Sequence, residues 1–147
     1  MKIVVGGVIE KDGKVLLVQE AKERCYGKWN IPAGTLEIGE SIYAGAIREI
    51  KEECGCDVDL TGVLSIVNEV TSEHIFLAIV FSTELVAETI KFNKDEILDV
   101  KWFDKTKIKS MSDNEIRGYE TCIDTLKWYE EGKIYPLDIF NDNIYLR

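Results

Sequence analysis

The chain has 147 residues, 46% hydrophobic and 31% charged, which suits one folded domain able to bury about 68–70% of its unfolded surface. A net charge of −9 argues against binding to nucleic-acid polymers, since such binding needs basic patches to neutralise phosphates. No basic amphipathic helix, lipidation motif or apolar run near about 18 residues points to a membrane, and the apolar stretch at 3–9 is too short for an export signal, so a cytoplasmic setting is expected.

Residues 2–9 and 14–19 read as two strands around a turn at 10–13, where Asp12-Gly13 is a hairpin signal. Trp29 to Ile31 lead into Pro32 and a loop through Ala33 and Gly34; Gly39, Glu40 and Ser41 then turn the chain into a helix over 41–54. At about 100° per residue, Tyr43, Ile47, Ile50 and Cys54 share one stripe of that helix, while Glu49, Glu52 and Glu53 fall nearly opposite. Segments 60–70 and 74–85 are strand-like, with a turn at 71–73, and 100–103 is a further short strand. A second long helix is expected over 112–131, where Ile116, Tyr119, Ile123 and Leu126 recur at helical spacing and Gly132 supplies a stop. Strands interleaved with two helices indicate a layered α/β domain, its mixed sheet covered on both faces.

The glutamates of the first helix carry the chemical information. A solvated acidic face is the ordinary explanation of such a stripe. Like charges three and four residues apart nonetheless oppose each other by roughly 0.2–0.5 kcal/mol per pair. Carboxylates in the last turns also oppose the helix dipole by about 0.3–1 kcal/mol each. A divalent cation would reverse both penalties, and convergent hard oxygen ligands suit Mg2+ or Mn2+. Gly55 then closes the helix as the residue after its last turn.

These residues, Gly34, Glu40, Arg48, Glu49, Ile50, Glu52, Glu53 and Gly55, match the pattern G-x5-E-x7-R-E-U-x-E-E-x-G-U, so the segment resembles the Nudix box. Only Cys56 departs, standing where a bulky aliphatic residue is usual; cysteine is a small buried hydrophobe, so looser packing is expected there and no damage to the chemistry. The resemblance implies an α/β/α sandwich and a metal-dependent hydrolase of phosphoanhydride bonds, acting on nucleoside di- and triphosphates or related diphosphates by water attack at phosphorus. It implies that Glu49, Glu52 and Glu53 ligate the cation together with the Gly34 carbonyl, and that Arg48 pairs with Glu40 to tie loop to helix. One more carboxylate is expected from outside the box, with Glu96 preferred and Asp95 the alternative. The general base is a carboxylate, Glu52 or Glu53 among the possibilities, or a water activated by the metal.

The tail, through Gly132 and the run Tyr135, Pro136 and Leu137, resembles the end of a Nudix subgroup of broad phosphatases acting on nucleoside di- and triphosphates and on the pyrophosphate of the thiamine pyrimidine precursor. A Nudix-fold module that binds nucleotide without cleaving it is the alternative, against which the intact acids count. A Ca2+-binding interaction domain would leave Gly34 and Arg48 unexplained. His74, the single histidine, reads as a structural strand residue. Arg24 and Lys28 are plausible phosphate contacts, and Trp29 or Phe76 plausible stacking partners for a base. The four cysteines read as free thiols: Cys54 and Cys56 lack a second pair at zinc spacing, and Cys25 lies in a polar loop where it could be exposed. Monomer and homodimer are both compatible with the sequence.

Overall fold

The computed structural model describes residues 1–141. Its strands are β1 (Lys2–Val8), β2 (Glu10–Lys11), β3 (Lys14–Glu20), β4 (Trp29–Asn30), β5 (Ala33–Thr35), β6 (Cys56–Val70), β7 (Ile75–Glu88) and β8 (Ile97–Asp104). The helices are α1 (Ile42–Cys54), α2 (Lys105–Ser110) and α3 (Tyr119–Glu130). Strands β5, β1, β7 and β6 form a mixed sheet in that order, with β1 and β7 parallel and the other pairs antiparallel. A second, antiparallel sheet is built on β3, which pairs with β8 and also with the short β2 and β4.

Period-two alternation sends each strand's side chains to two different cores. From β7, Ile79 and Phe81 pack with Val5 and Ala46 on the α1 side, whereas Val80 joins Leu64, Ile116, Cys122 and Leu126 beneath α3. From β3, Val15 and Leu17 enter the α3 core, and Leu16 and Val18 meet Ile50 and Cys54 of α1. The expected mixed α/β architecture therefore holds, with the strands divided between two sheets.

Helix α1 begins where expected: Ser41 Oγ accepts from Ala44 N at 3.0 Å, satisfying an otherwise orphaned donor. Its buried stripe differs in detail, because Ile47 is exposed and Ala46 takes its place in the core. The second helix is shorter than expected and starts at Tyr119. The backbone before it pairs across to Trp29 instead, with Trp29 N donating to Glu115 O and Arg117 N to Trp29 O, both at 2.8 Å. Helix α2 carries no apolar periodicity, burying only Ile108 among its residues, which is why sequence pattern does not reveal it. The tail packs on α1: Leu137 and Phe140 join its core, and Tyr43 donates its hydroxyl to the Leu137 carbonyl. All four cysteines are free and buried, Cys25 included.

Gly55 adopts φ 77° and donates its N–H to the Lys51 carbonyl, and a Cβ there would lie 1.9 Å from the Thr89 carbonyl oxygen. Gly55→Ala thus meets left-handed strain and a backbone collision together, and should lower unfolding free energy by at least about 1–3 kcal/mol in a denaturant titration.

Candidate active site

The loop from Ala33 to Ser41 and the following helix are joined through one guanidinium. Arg48 Nε donates to Glu40 Oε2 at 2.9 Å and Nη2 to Glu40 Oε1 at 2.5 Å, the two-pronged pairing expected from the sequence. The same group reaches further than the sequence suggested: Nη1 donates to Glu49 Oε1 at 2.8 Å and to Glu52 Oε2 at 3.2 Å, and Nη2 to the Thr35 carbonyl at 3.1 Å. Hydrogen bonding by Arg48 holds the Glu40 carboxyl below its usual range. Glu49 moves the other way, because burial outweighs the same arginine.

Glu53 lies apart from this fork. It is only 5% exposed, so the solvated acidic face is not what forms. Its Oε2 accepts from Ala33 N at 3.1 Å, and burial, followed by the charge of Glu20, pushes its carboxyl up to about 8. A Cβ at Gly34 would fall 1.9 Å from Glu49 Oε2, so a side chain there would displace that carboxylate. The Gly34 backbone and the Glu49 carboxylate are therefore in direct proximity.

Among the described residues no three acidic side chains converge tightly enough to form a complete metal cage. The physical reason is visible in Arg48, which draws Glu49 and Glu52 to itself. The donor set still fits a hard divalent cation: a carboxylate face, a glycine backbone against it, and in Glu53 a buried acid lacking a cationic partner among the described residues. Glu96 is exposed and ends the loop before β8; its carbonyl accepts from Ala21 N at 3.0 Å, and among the described residues its carboxylate makes no hydrogen bond or ion pair with the box acids. Asp95 is an exposed turn residue whose N–H is taken by Asn93 Oδ1.

A cleft of about 600 Å³ opens beside Ala33 and Gly34, lined also by Lys2, Lys22, Arg24, Arg117, His74 and Phe76. Burial and then the charges of Arg24, Lys22 and Arg117 hold the Lys2 ammonium below its ordinary value, so these cations feel one another. Arg24 and Phe76 are thus where a ligand could meet them. Lys28 does not line the cleft, and its ammonium donates to the Asp113 carbonyl. Trp29 packs edge-on against Phe103 at 4.8 Å as part of the core. His74 is an exposed turn residue rather than a strand residue, bonded through Nδ1 to Thr71 Oγ1. Sequence reasoning missed Glu20, Lys2, Lys22 and Arg117. Glu20 ends an apolar strand, where an acid ordinarily marks the exit to solvent, so no local pattern distinguishes it.

Arg48→Lys keeps the charge but cannot span Glu40 with two parallel bonds while reaching Thr35 and Glu49. A loss of about 1–3 kcal/mol in unfolding free energy is expected, measured by denaturant titration.

The NUDIX domain model matches residues 2–125. The chain is 33% identical over 106 residues to human 8-oxo-dGDP phosphatase NUDT18, covering 72% of this chain and 33% of that protein. It is 30% identical over 113 residues to the ADP-ribose pyrophosphatase of Methanocaldococcus jannaschii, covering 75% of this chain and 66% of that one. The structure superposes on a NUDIX hydrolase from Nitrosomonas europaea with a TM-score of 0.85 and 31% identity, covering 98% of this chain and 97% of that chain. The matched stretch thus spans only about a third of the human relative's length and nearly the whole of the bacterial structure. With the box geometry, the domain match and the superposition in agreement, the chain belongs to the Nudix hydrolase family.

Proposed function

We propose that this chain is a divalent-metal-dependent hydrolase of phosphoanhydride bonds in nucleoside di- and triphosphates or related diphosphates, with Mg2+ or Mn2+ as cofactor. The observation that carries this reading is the opposition of two charge fields across one cleft: the acids of α1 stand behind Ala33 and Gly34, and Lys2, Lys22, Arg24 and Arg117 line the cavity in front. A polyphosphate fits between them, since the cations attract its oxygens and the acids supply the place for a metal.

Glu49, Glu52 and Glu53, with the Gly34 carbonyl, would hold the cation. When bound, it supplies neutralisation of phosphate oxygens and activation of water. The chain's own residues do the rest. Arg48 keeps Glu40, the loop carbonyl of Thr35 and the face of α1 in one arrangement, so that the Gly34 loop and the helix carrying the acids are held together before substrate arrives. A carboxylate of that face, Glu52 or Glu53, takes the proton of the attacking water. The basic cluster binds the phosphate chain, and Phe76 offers a face for a base.

Activity should vanish in excess chelator and return with Mg2+ or Mn2+, as read by product-identified phosphate release; full turnover in chelator would rule the metal mechanism out. The substrate panel should include nucleoside di- and triphosphates, oxidised guanine nucleotides, sugar-linked diphosphates, dinucleoside polyphosphates and the thiamine pyrimidine pyrophosphate. Loss of the terminal phosphate from both di- and triphosphates, with little base preference, is expected from the tail resemblance. Inert simple diphosphates beside a well-cleaved sugar-linked one would remove that subgroup and leave the family reading standing.

Glu53→Gln retains an oxygen to accept from Ala33 N and removes the buried charge. Turnover should fall at least about 100-fold. Stability of the metal-free protein should rise instead. Because the folded-state carboxyl is raised from 4.5 to about 8, the wild type binds more protons folded than unfolded, so its stability declines as pH climbs through that interval. The variant escapes the decline, and its melting-temperature gain should be largest above about pH 8 and absent below about 4.5.

A further inference from the structure

A buried acid outside the Nudix box is held by two residues that line the cleft. Glu20, the last residue of β3, is 1% exposed, a place an acid occupies only when paired. Its Oε1 is taken, by Arg117 Nη1 at 3.0 Å and Asn30 Nδ2 at 3.4 Å. Its Oε2 is buried and has no hydrogen-bond partner among the described residues. A desolvated carboxylate oxygen left bare is costly, and a guanidinium could have covered both oxygens had an internal ion pair been the whole purpose.

Asn30 and Arg117, which hold Glu20, line the cleft together with Ala33 and Gly34, the residues whose backbones meet Glu53 and Glu49. On β3, Leu16 and Val18 pack against Ile50 and Cys54 of α1, and Glu20 follows on the same face of the strand, toward the helix that carries Glu53. The loop of Glu96 touches the same strand end, through Ala21 N and the Glu96 carbonyl at 3.0 Å. Two buried acids with one guanidinium on Glu20 Oε1 leave carboxyl oxygens that a hard cation would engage in place of the Glu53 proton.

We infer that Glu20 is a ligand for a divalent cation, its free Oε2 acting with Glu53 so that the metal centre extends from α1 onto β3. Arg117 is then the counter-charge of Glu20 on the side away from the metal. The inference rests on the metal-dependent reading above and adds a residue that the box pattern does not contain.

The test is Mn2+ binding to the nucleotide-free full chain, followed by electron paramagnetic resonance of the free ion and by the Mn2+-induced rise in melting temperature. Glu20→Gln keeps an acceptor for Arg117 and Asn30, and should weaken Mn2+ binding at least about 10-fold with a smaller thermal rise. Arg117→Gln removes a nearby positive charge and should bind Mn2+ at least as tightly as wild type. Unchanged Mn2+ affinity in Glu20→Gln, with binding lost in Glu53→Gln, overturns the ligand role and leaves the hydrolase reading intact. Equal weakening in Glu20→Gln and Arg117→Gln overturns it in favour of a purely structural pair. Should Glu20→Gln fail to fold, Arg117→Gln decides alone: tighter or equal binding supports the inference, and weaker binding sinks it. Wild-type protein that binds no Mn2+ yet hydrolyses only with metal overturns this inference alone; no binding and no metal requirement removes both.

Discussion

The Arg48 guanidinium is the interaction on which the site's arrangement depends. It ties the Glu40 carboxylate, the Thr35 carbonyl and two glutamates of α1 into one network, at distances between 2.5 and 3.2 Å. An isolated surface ion pair contributes little, because solvent screening and side-chain entropy offset the attraction. Here the pairing is bidentate and the arginine half-buried, so the fork fixes a loop against a helix. Without it, the loop between β5 and α1 would keep the Ser41 cap, the Leu36 N–H bond to the Ile3 carbonyl and the packing of Leu36, but would lose its side-chain tie to the acids of the helix.

That fork also explains how mutually repelling acids stay on one face. Glu49 and Glu52 share Arg48, while Glu53 turns to the Ala33 N–H and its charged form is disfavoured by burial and by neighbouring acids. The protein's strong overall negative charge then coexists with a cleft that gathers Lys2, Lys22, Arg24 and Arg117. Local field, not net charge, governs what enters such a cavity. A phosphate chain approaching it meets cations first and the acidic face behind them, an order that suits a ligand arriving with its own metal as well as one meeting metal already held.

The fold supports this geometry by packing α1 from several directions. Ile50 and Cys54 are buried against β3 and β8 residues, Ala46 against the mixed sheet, and Tyr43 against Phe81 and the tail residue Phe140. The tail thus braces the helix that carries the acids. Strand β3 is buried on both faces, and its last residue turns a carboxylate inward where sequence would place it in solvent.

Local chemistry determined what could be read without coordinates. The spacing of Gly34, Glu40, Arg48, Glu49, Glu52, Glu53 and Gly55 is a property of one contiguous segment whose helix, cap and stop depend on short-range hydrogen bonds, so the family, the start of α1 and the Arg48–Glu40 pair were legible there. Tertiary structure decided what depends on segments distant in the chain. Residues 115–117 left the expected helix because their backbone groups bond to Trp29, and Glu20 is buried because Arg117, 97 positions away, reaches its carboxylate. Ile47 is exposed because Val5, Ile79, Phe81 and the tail meet α1 through Ala46 and Tyr43 instead. A helix or strand records its own period in its sequence, whereas the partner that desolvates a given side chain is set only when remote elements pack, and that is why the box could be read and the carboxylate beside it could not.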